Sequence, residues 1–324
     1  MKNKKLLVIS GSVCLLLVLA ALPFISACAK APQTAGPPLT TKGYSIFDGT
    51  MADMTWPDVE KAAKSGAIVI VQIGTVEQHG PHMAQGTDTY MGQVVAKLVK
   101  QSLESKGIQT LIVPPFYFGM SGYKGAFPGT FSSRPETVKA VLYDIVDSLK
   151  VSGFNNVFVF SWHQEPQHNT AVLEGTKEAR SGTGTKTYFV LPPWSGLAPR
   201  LGITGKEEHI IIVPPPPPPA GPPPQFRDVH AGKGETGDMA AFFPDLIDEA
   251  MAKTLQPNQK TGADLAKWPR DPVEMRKFQP NGYIGDPASF DVEAEKKDVE
   301  DWVKRMADTI ESVVKGTYKP PEIK

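Results

Sequence analysis

The chain reads as an α/β protein, a three-layer α/β/α sandwich built on a mostly parallel central sheet. Three observations predict this. Strand-like and helix-like runs alternate between residues 67 and 315, the rhythm of βαβ units. The strand-like runs are almost continuously apolar, as strands buried on both faces are. Polar clusters follow directly on strand-like runs, where open sheets of this kind bind their ligands.

The elements follow in order. Ala67–Ile73 is the first strand. Asp88 to Lys106 reads as a helix, with Val94, Val95, Leu98 and Leu103 on an approximate apolar face. Gln109–Val113 is the second strand and stops at Pro114-Pro115. Arg134 to Ser152 has Val138, Val141, Leu142, Ile145 and Leu149 at helical spacing. Asn156–Phe160 is a buried strand, Asn169 to Arg180 a helix and Lys186–Leu191 another strand. Gly237 to Ala252 is helical, and Asp298 to Lys315 closes the fold. There is no internal repeat.

The N-terminus has its own character. Lys2, Lys4 and Lys5 precede an apolar run from Leu6 to Phe24, followed by Ile25-Ser26-Ala27-Cys28. This is a secretion signal over residues 1–27, with an ending that resembles a bacterial lipobox. The expectation is an exported protein, anchored to a membrane through a lipid on Cys28. Residues 28–43, rich in Ala, Pro, Gly and Thr, read as a flexible tether, and 44–324 as the folded domain. Cys14 leaves with the signal, so no thiol remains to bind metal. Losing the three lysines shifts the balanced 34 against 34 charges to a net of about −3. With no basic patch, this excludes the nucleic-acid-binding classes. A proline-rich insertion around 214–224 contains the unbroken run Pro214 to Pro219. It reads as a stiff polyproline II surface segment, with a docking site for a partner as the alternative.

The chemistry is concentrated in three clusters. The first is Gly74-Thr75-Val76-Glu77-Gln78-His79-Gly80-Pro81-His82, followed by Gly86-Thr87-Asp88-Thr89. Residues two apart in extended chain point the same way, so Glu77 and His79 can converge on one point, with Asp88 nearby. Mixed nitrogen and oxygen ligands suit Zn, Mn or Fe better than Ca. The second cluster, Ser161 to Asn169, holds His163, Glu165 and His168. The third, Asp228 to Thr236, holds His230 and Glu235 at the opening of a helix. Each residue also has a structural reading. His82 and His168 fit positions next to a site better than in it, and His209 is solvent-facing or structural. Trp162 and Trp194 either line the site or belong to the core.

These clusters together resemble the creatininase (creatinine amidohydrolase) family. Its pieces occur in family order from Met54-Thr55-Trp56-Pro57, through Phe127-Pro128-Gly129-Thr130 and the His163 turn, to His230-Ala231-Gly232, Glu235-Thr236 and Gly285-Asp286-Pro287. The resemblance implies two divalent cations, Zn or Mn with Fe as a further option. Glu77, His79, Asp88 and His163 become metal ligands, with Asp88 as the bridge. The fifth ligand is Glu165 or Glu235. Pro166 and the altered turn favour Glu235, leaving Glu165 to assist catalysis beside His230. The implied reaction is hydrolysis of a C–N bond in a small cyclic amide by a metal-activated water. The resemblance also implies a homo-oligomer of the hexameric kind.

The sequence departs from the family at His163, where Trp162 precedes the histidine and Gln164-Glu165 stand in place of glycines. That reshapes the substrate region. The alternatives are a metal-containing lipoprotein that binds a small ligand without turnover and, third, a polyproline scaffold.

Overall fold

The computed structural model describes residues 44–192, 197–217 and 224–321. The signal peptide, the tether with Cys28, Trp194 and the centre of the proline run lie outside the described residues.

Five strands form one parallel sheet: β1 (Ile68–Gln72), β2 (Thr110–Ile112), β3 (Asn156–Phe160), β4 (Lys186–Leu191) and β5 (Ile210–Ile212). Their order is β2-β1-β3-β4-β5, and every neighbouring pair is parallel. Parallel neighbours require long crossovers, which the helices supply. These are α1 (Trp56–Lys64), α2 (Thr87–Ser105), α3 (Pro135–Val151), α4 (Pro166–Thr183) and α5 (Leu197–Arg200). Then follow α6 (Lys233–Phe242), α7 (Glu249–Ala252), α8 (Gly262–Leu265), α9 (Pro272–Phe278) and α10 (Val292–Val314).

The strand alternation divides the core into two layers. Ile68, Ile70, Phe158 and Phe160 face α2, α6 and α10, meeting Met91, Val95, Met239, Trp302 and Met306. Val69, Val71, Val157 and Val159 face α1, α3 and α4, meeting Ala62, Leu142, Val146 and Val172. The expected three-layer sandwich is therefore the observed one. Leu142 is fully buried in the second layer. Leu142→Ala is expected to cost about 2–5 kcal/mol, since the layer collapses only partly into the hole. A urea-unfolding midpoint that barely moves would contradict this packing.

The differences from the expected elements have local causes. The helix expected over Gly237 to Ala252 is two helices, because Pro244 lacks the N–H to continue α6. It also begins earlier, at Lys233, because the Asp228 carboxylate accepts the Lys233 and Gly234 N–H groups at 3.0 and 2.9 Å. The last helix starts at Val292 rather than Asp298. Asp291 caps it by accepting from Glu293 and Ala294, both at 3.1 Å. α4 starts at Pro166, which suits the first helical position. Pro214–Pro217 are exposed directly after the edge strand β5. His209 lies just before β5, its carbonyl accepting from Phe189 N–H at 2.8 Å. No helix among the described residues is long and apolar enough to cross a membrane.

Candidate metal centre

The three polar clusters meet at the carboxyl ends of β1 and β3. The loop after β1 carries Glu77 and His79, and Asp88 lies in the first turn of α2. The turn after β3 carries His163 and Glu165. His230 precedes α6, whose first turn holds Glu235. Two of the carboxylates thus sit at helix N-termini, where the macrodipole favours anions.

The Phe127–Thr130 motif acts on the first loop. Thr130 Oγ1 accepts the Gln78 N–H at 3.1 Å, and Gln85 Nε2 donates to Pro128 O at 3.0 Å. Gly129 has φ +80, and a Cβ there would lie 2.3 Å from Gln85 Oε1. Only glycine suits both demands.

Donor atoms converge in three groups, each within 4.8 Å internally: Glu77/Asp88/His163, His79/Asp88/Glu235 and Glu77/His79/His230. Asp88 belongs to the first two. His163 Nδ1 lies 3.2 Å from Asp88 Oδ2 and 3.3 Å from Glu77 Oε1. His79 Nε2 lies 3.8 Å from both Asp88 Oδ2 and Glu235 Oε2. His230 Nδ1 lies 3.6 Å from Glu77 Oε1 and 3.9 Å from Glu235 Oε2.

Each imidazole is turned by its outer nitrogen. A carbonyl can only accept, so His79 Nδ1–H donates to Glu77 O at 2.9 Å and leaves Nε2 to the centre. His230 Nε2 meets the Gln78 carbonyl at 2.7 Å and the Gln78 side-chain Nε2 at 2.9 Å, so Gln78 holds its outer edge and Nδ1 faces inward. His163 Nε2 faces Glu165 Oε2 at 3.4 Å, which turns Nδ1 inward. A carboxylate behind a ligating histidine fixes its tautomer and raises its basicity. Glu165 is itself held by Gly122 N–H at 2.9 Å. The structure therefore places Glu235, not Glu165, in a donor group with His79 and Asp88, and sets Glu165 behind His163.

The donor set fits divalent cations. Glu77 Oε1, His79 Nε2 and Asp88 Oδ2 are buried without any hydrogen-bond partner, a costly state for such groups. Burial lifts Glu77 to about 8, with the His163 charge opposing it and Asp88 adding to it. Burial opposes charge on His79, yet the carboxylates of Asp88, Glu235 and Glu77 raise it to about 9. Asp88 is held low because His163 and His79 outweigh its burial. Burial raises Glu235 to about 7. Protons on His79 and His163 stand where a cation would sit, so metal binding releases them.

The His230–Gly232 turn carries strain. Ala231 is the one non-glycine with positive φ (48°) among the described residues. Its N–H donates to Glu235 Oε2 at 2.5 Å, so a conformation that costs about 1–3 kcal/mol aims the carboxylate.

The remaining expectations find places around this centre. His82 Nε2 meets Thr236 Oγ1 at 2.9 Å, outside the donor groups. Trp162 is buried against Trp302 and belongs to the core. His168 Nδ1 accepts from Met120 N–H at 3.1 Å, so its Nε2–H donates to Ser161 Oγ at 3.0 Å. Burial, reinforced by His163, pushes its pKa down to about 3. The folded state thus holds His168 neutral while the unfolded chain takes up a proton near pH 6.5. Its contribution is complete above pH 6.5 and is lost as pH falls toward 3. His168→Gln is expected to lower stability at pH 8, yet to flatten the decline below pH 6.5 by up to about 1.4 kcal/mol per pH unit. Urea unfolding of parent and variant between pH 8 and 4 tests this; parallel pH profiles would contradict it.

Sequence reasoning missed Ser121, Tyr123 and Gln279. Ser121 Oγ donates to Glu77 Oε2 at 2.6 Å. The Tyr123 ring lies 4.6 Å from that of His230, and its hydroxyl donates to Gln279 Oε1 at 3.2 Å. Lone residues in loops give no sequence signal of such contacts.

An α/β/α sandwich with carboxylates and imidazoles converging at its strand ends is the build of a metal-dependent hydrolase. Comparison with known proteins narrows the class. The sequence pattern of the creatininase family, described as creatinine amidohydrolase, matches residues 52–310. The creatinine amidohydrolase of Pseudomonas putida is 27% identical over 215 residues, 63% of this chain and 74% of that protein. A mycofactocin precursor peptide peptidase of Mycobacterium ulcerans is 30% identical over 94 residues, 28% of this chain and about a third (34%) of that protein. A crystal structure of creatininase superposes with a TM-score of 0.60 at 21% identity, covering 82% of this chain and 97% of the other. At that identity the likeness is one of fold. The chain belongs to the creatininase family and is a metal-dependent amidohydrolase. Solved creatininases include a Mn form and a Zn–Zn form, in keeping with divalent Zn or Mn as the cofactors of this donor set.

Proposed function

We propose that this chain is an exported, lipid-anchored amidohydrolase that opens a small cyclic amide. The observation that carries the reading is Asp88, shared by two donor groups with His230 Nδ1 beside them. Glu77, Asp88 and His163 would hold one cation; His79, Asp88 and Glu235 would hold the other. Bound there, divalent cations supply a water of lowered pKa and an electrophile for the scissile carbonyl oxygen. The chain's own residues do the rest. Glu77 and His79 are kept rigid by Ser121 and by the Glu77 carbonyl. Glu165 keeps Nδ1 of His163 turned inward. His230, with Nδ1 free, takes a proton and passes it to the leaving nitrogen as the C–N bond breaks. Glu235 and Glu165, about a quarter exposed, mark the side open to substrate. The lipobox-like Ile25 to Cys28 supports the anchored location.

A binding protein without turnover is the second reading. It is favoured by the remade His163 turn, where Gln164 Nε2 donates to Ser161 O at 2.7 Å. The test is to load the protein with Zn or Mn and incubate it with five- and six-membered cyclic amides, creatinine included, and with short peptides. Gain of one water by a cyclic amide, seen by mass spectrometry, is the expected result. Saturable binding of a cyclic amide without hydrolysis would establish the second reading instead.

A further inference from the structure

His230 is held by Gln78, His79 and Tyr123, and Tyr123 belongs to none of the three polar clusters. One face of its ring packs on His79, with centroids 4.6 Å apart and planes 41° apart. Tyr123 also lies against the ring, with centroids 4.6 Å apart and planes tilted by 31°. The outer edge is held at Nε2 by the Gln78 carbonyl and the Gln78 side-chain amide. Contacts at one ring atom leave a ring free to swing about it. Packing against two neighbouring rings restricts this freedom.

Tyr123 is well placed to act as a fixed wall. It is buried, and its hydroxyl is anchored on Gln279, which is itself fully buried. The hydroxyl therefore belongs to Gln279. Its N–H donates to Ser121 Oγ at 3.1 Å, and Ser121 in turn holds Glu77. The same short loop thus grips a carboxylate of the centre and the imidazole beside it.

We propose that Tyr123 is a positioning residue, whose ring, packed against His230, sets the plane in which His230 Nδ1 meets the substrate nitrogen. The proposal rests on reading His230 as the proton carrier. It assigns the work to the ring face rather than to the hydroxyl. Misplacing a catalytic group by about 1 Å can cost roughly 100-fold in rate, so loss of the ring should lower kcat by about 10- to 100-fold with little change in KM.

The test uses the Zn-loaded full chain labelled with 15N at its six histidines, and follows the ring N–H of His230. That signal is identified by its absence in His230→Asn. It is expected to persist, slow to exchange, in the parent and in Tyr123→Phe, which keeps the ring. In Tyr123→Ala it should broaden away or exchange at least about tenfold faster, with Zn content at the parent level. An unchanged signal in Tyr123→Ala, or equal loss in Tyr123→Phe, would overturn the proposal. So would loss of Zn from Tyr123→Ala, since the residue would then be a support of the metal loop. The signal does not depend on turnover. If it follows the ring while the parent hydrolyses nothing, Tyr123 still holds the His230 ring, but the hydrolase reading fails and the catalytic use of that hold fails with it.

Discussion

Asp88→Ala is expected to strip the protein of both cations and to lower turnover by about 10³-fold or more. No other residue has this reach, because only Asp88 belongs to both the Glu77/Asp88/His163 and His79/Asp88/Glu235 groups. Removing it leaves one carboxylate and one histidine on each side. It also leaves His79 and His163 without the one carboxylate that faces both. The fold should survive, since Asp88 makes no hydrogen bond to the backbone of the core and α2 keeps its apolar face. Metal content after dialysis, measured with far-UV circular dichroism on the same sample, checks this. A folded variant that keeps about one cation per chain would show two independent sites rather than a shared one.

The second large effect separates two carboxylates that sequence alone leaves as alternatives. Glu235→Gln is expected to lose the cation held with His79 and Asp88, keep the other, and lower kcat by about 10²- to 10³-fold. Glu165→Gln should keep both cations. Its Oε2 faces the outer nitrogen of His163, so the expected cost is about 10- to 100-fold in metal affinity, as for other groups behind a ligating histidine. Chelator competition on the two variants side by side decides. The reverse pattern, with Glu165→Gln losing a cation and Glu235→Gln keeping two, would move the fifth ligand to the His163 turn.

How much of this was legible in the sequence depended on distance along the chain. β3 and β4 have the limits expected of them, because each is an apolar run with clear ends. Glu77, His79 and Asp88 stand within a dozen residues, so their convergence could be read directly. α1 was not read. Its exposed Trp56 and few buried residues give little apolar pattern. β5 is only three residues long, too short for periodicity to separate strand from loop. The placement of Glu165 behind His163 and of Glu235 beside His79 rests on contacts across the chain, with Glu235 also held by the N–H of Ala231 at positive φ. A non-glycine residue gives no sequence warning of that conformation. The contacts of Tyr123 with His230 and Gln279 join residues more than a hundred positions apart. They exist only once the loop after β2 has folded over the strand ends.

The account's central claim is a pair of cations sharing Asp88. Its most direct test is anomalous diffraction at the Zn and Mn edges from crystals of the metal-loaded protein. Two peaks a few ångströms apart are predicted, as in other two-metal hydrolytic sites, with Asp88 between them. One should be flanked by Glu77 and His163, the other by His79 and Glu235, with Glu165 touching neither. A single peak, or none at Glu77, His79 and Asp88 in crystals grown with excess metal, would contradict the claim.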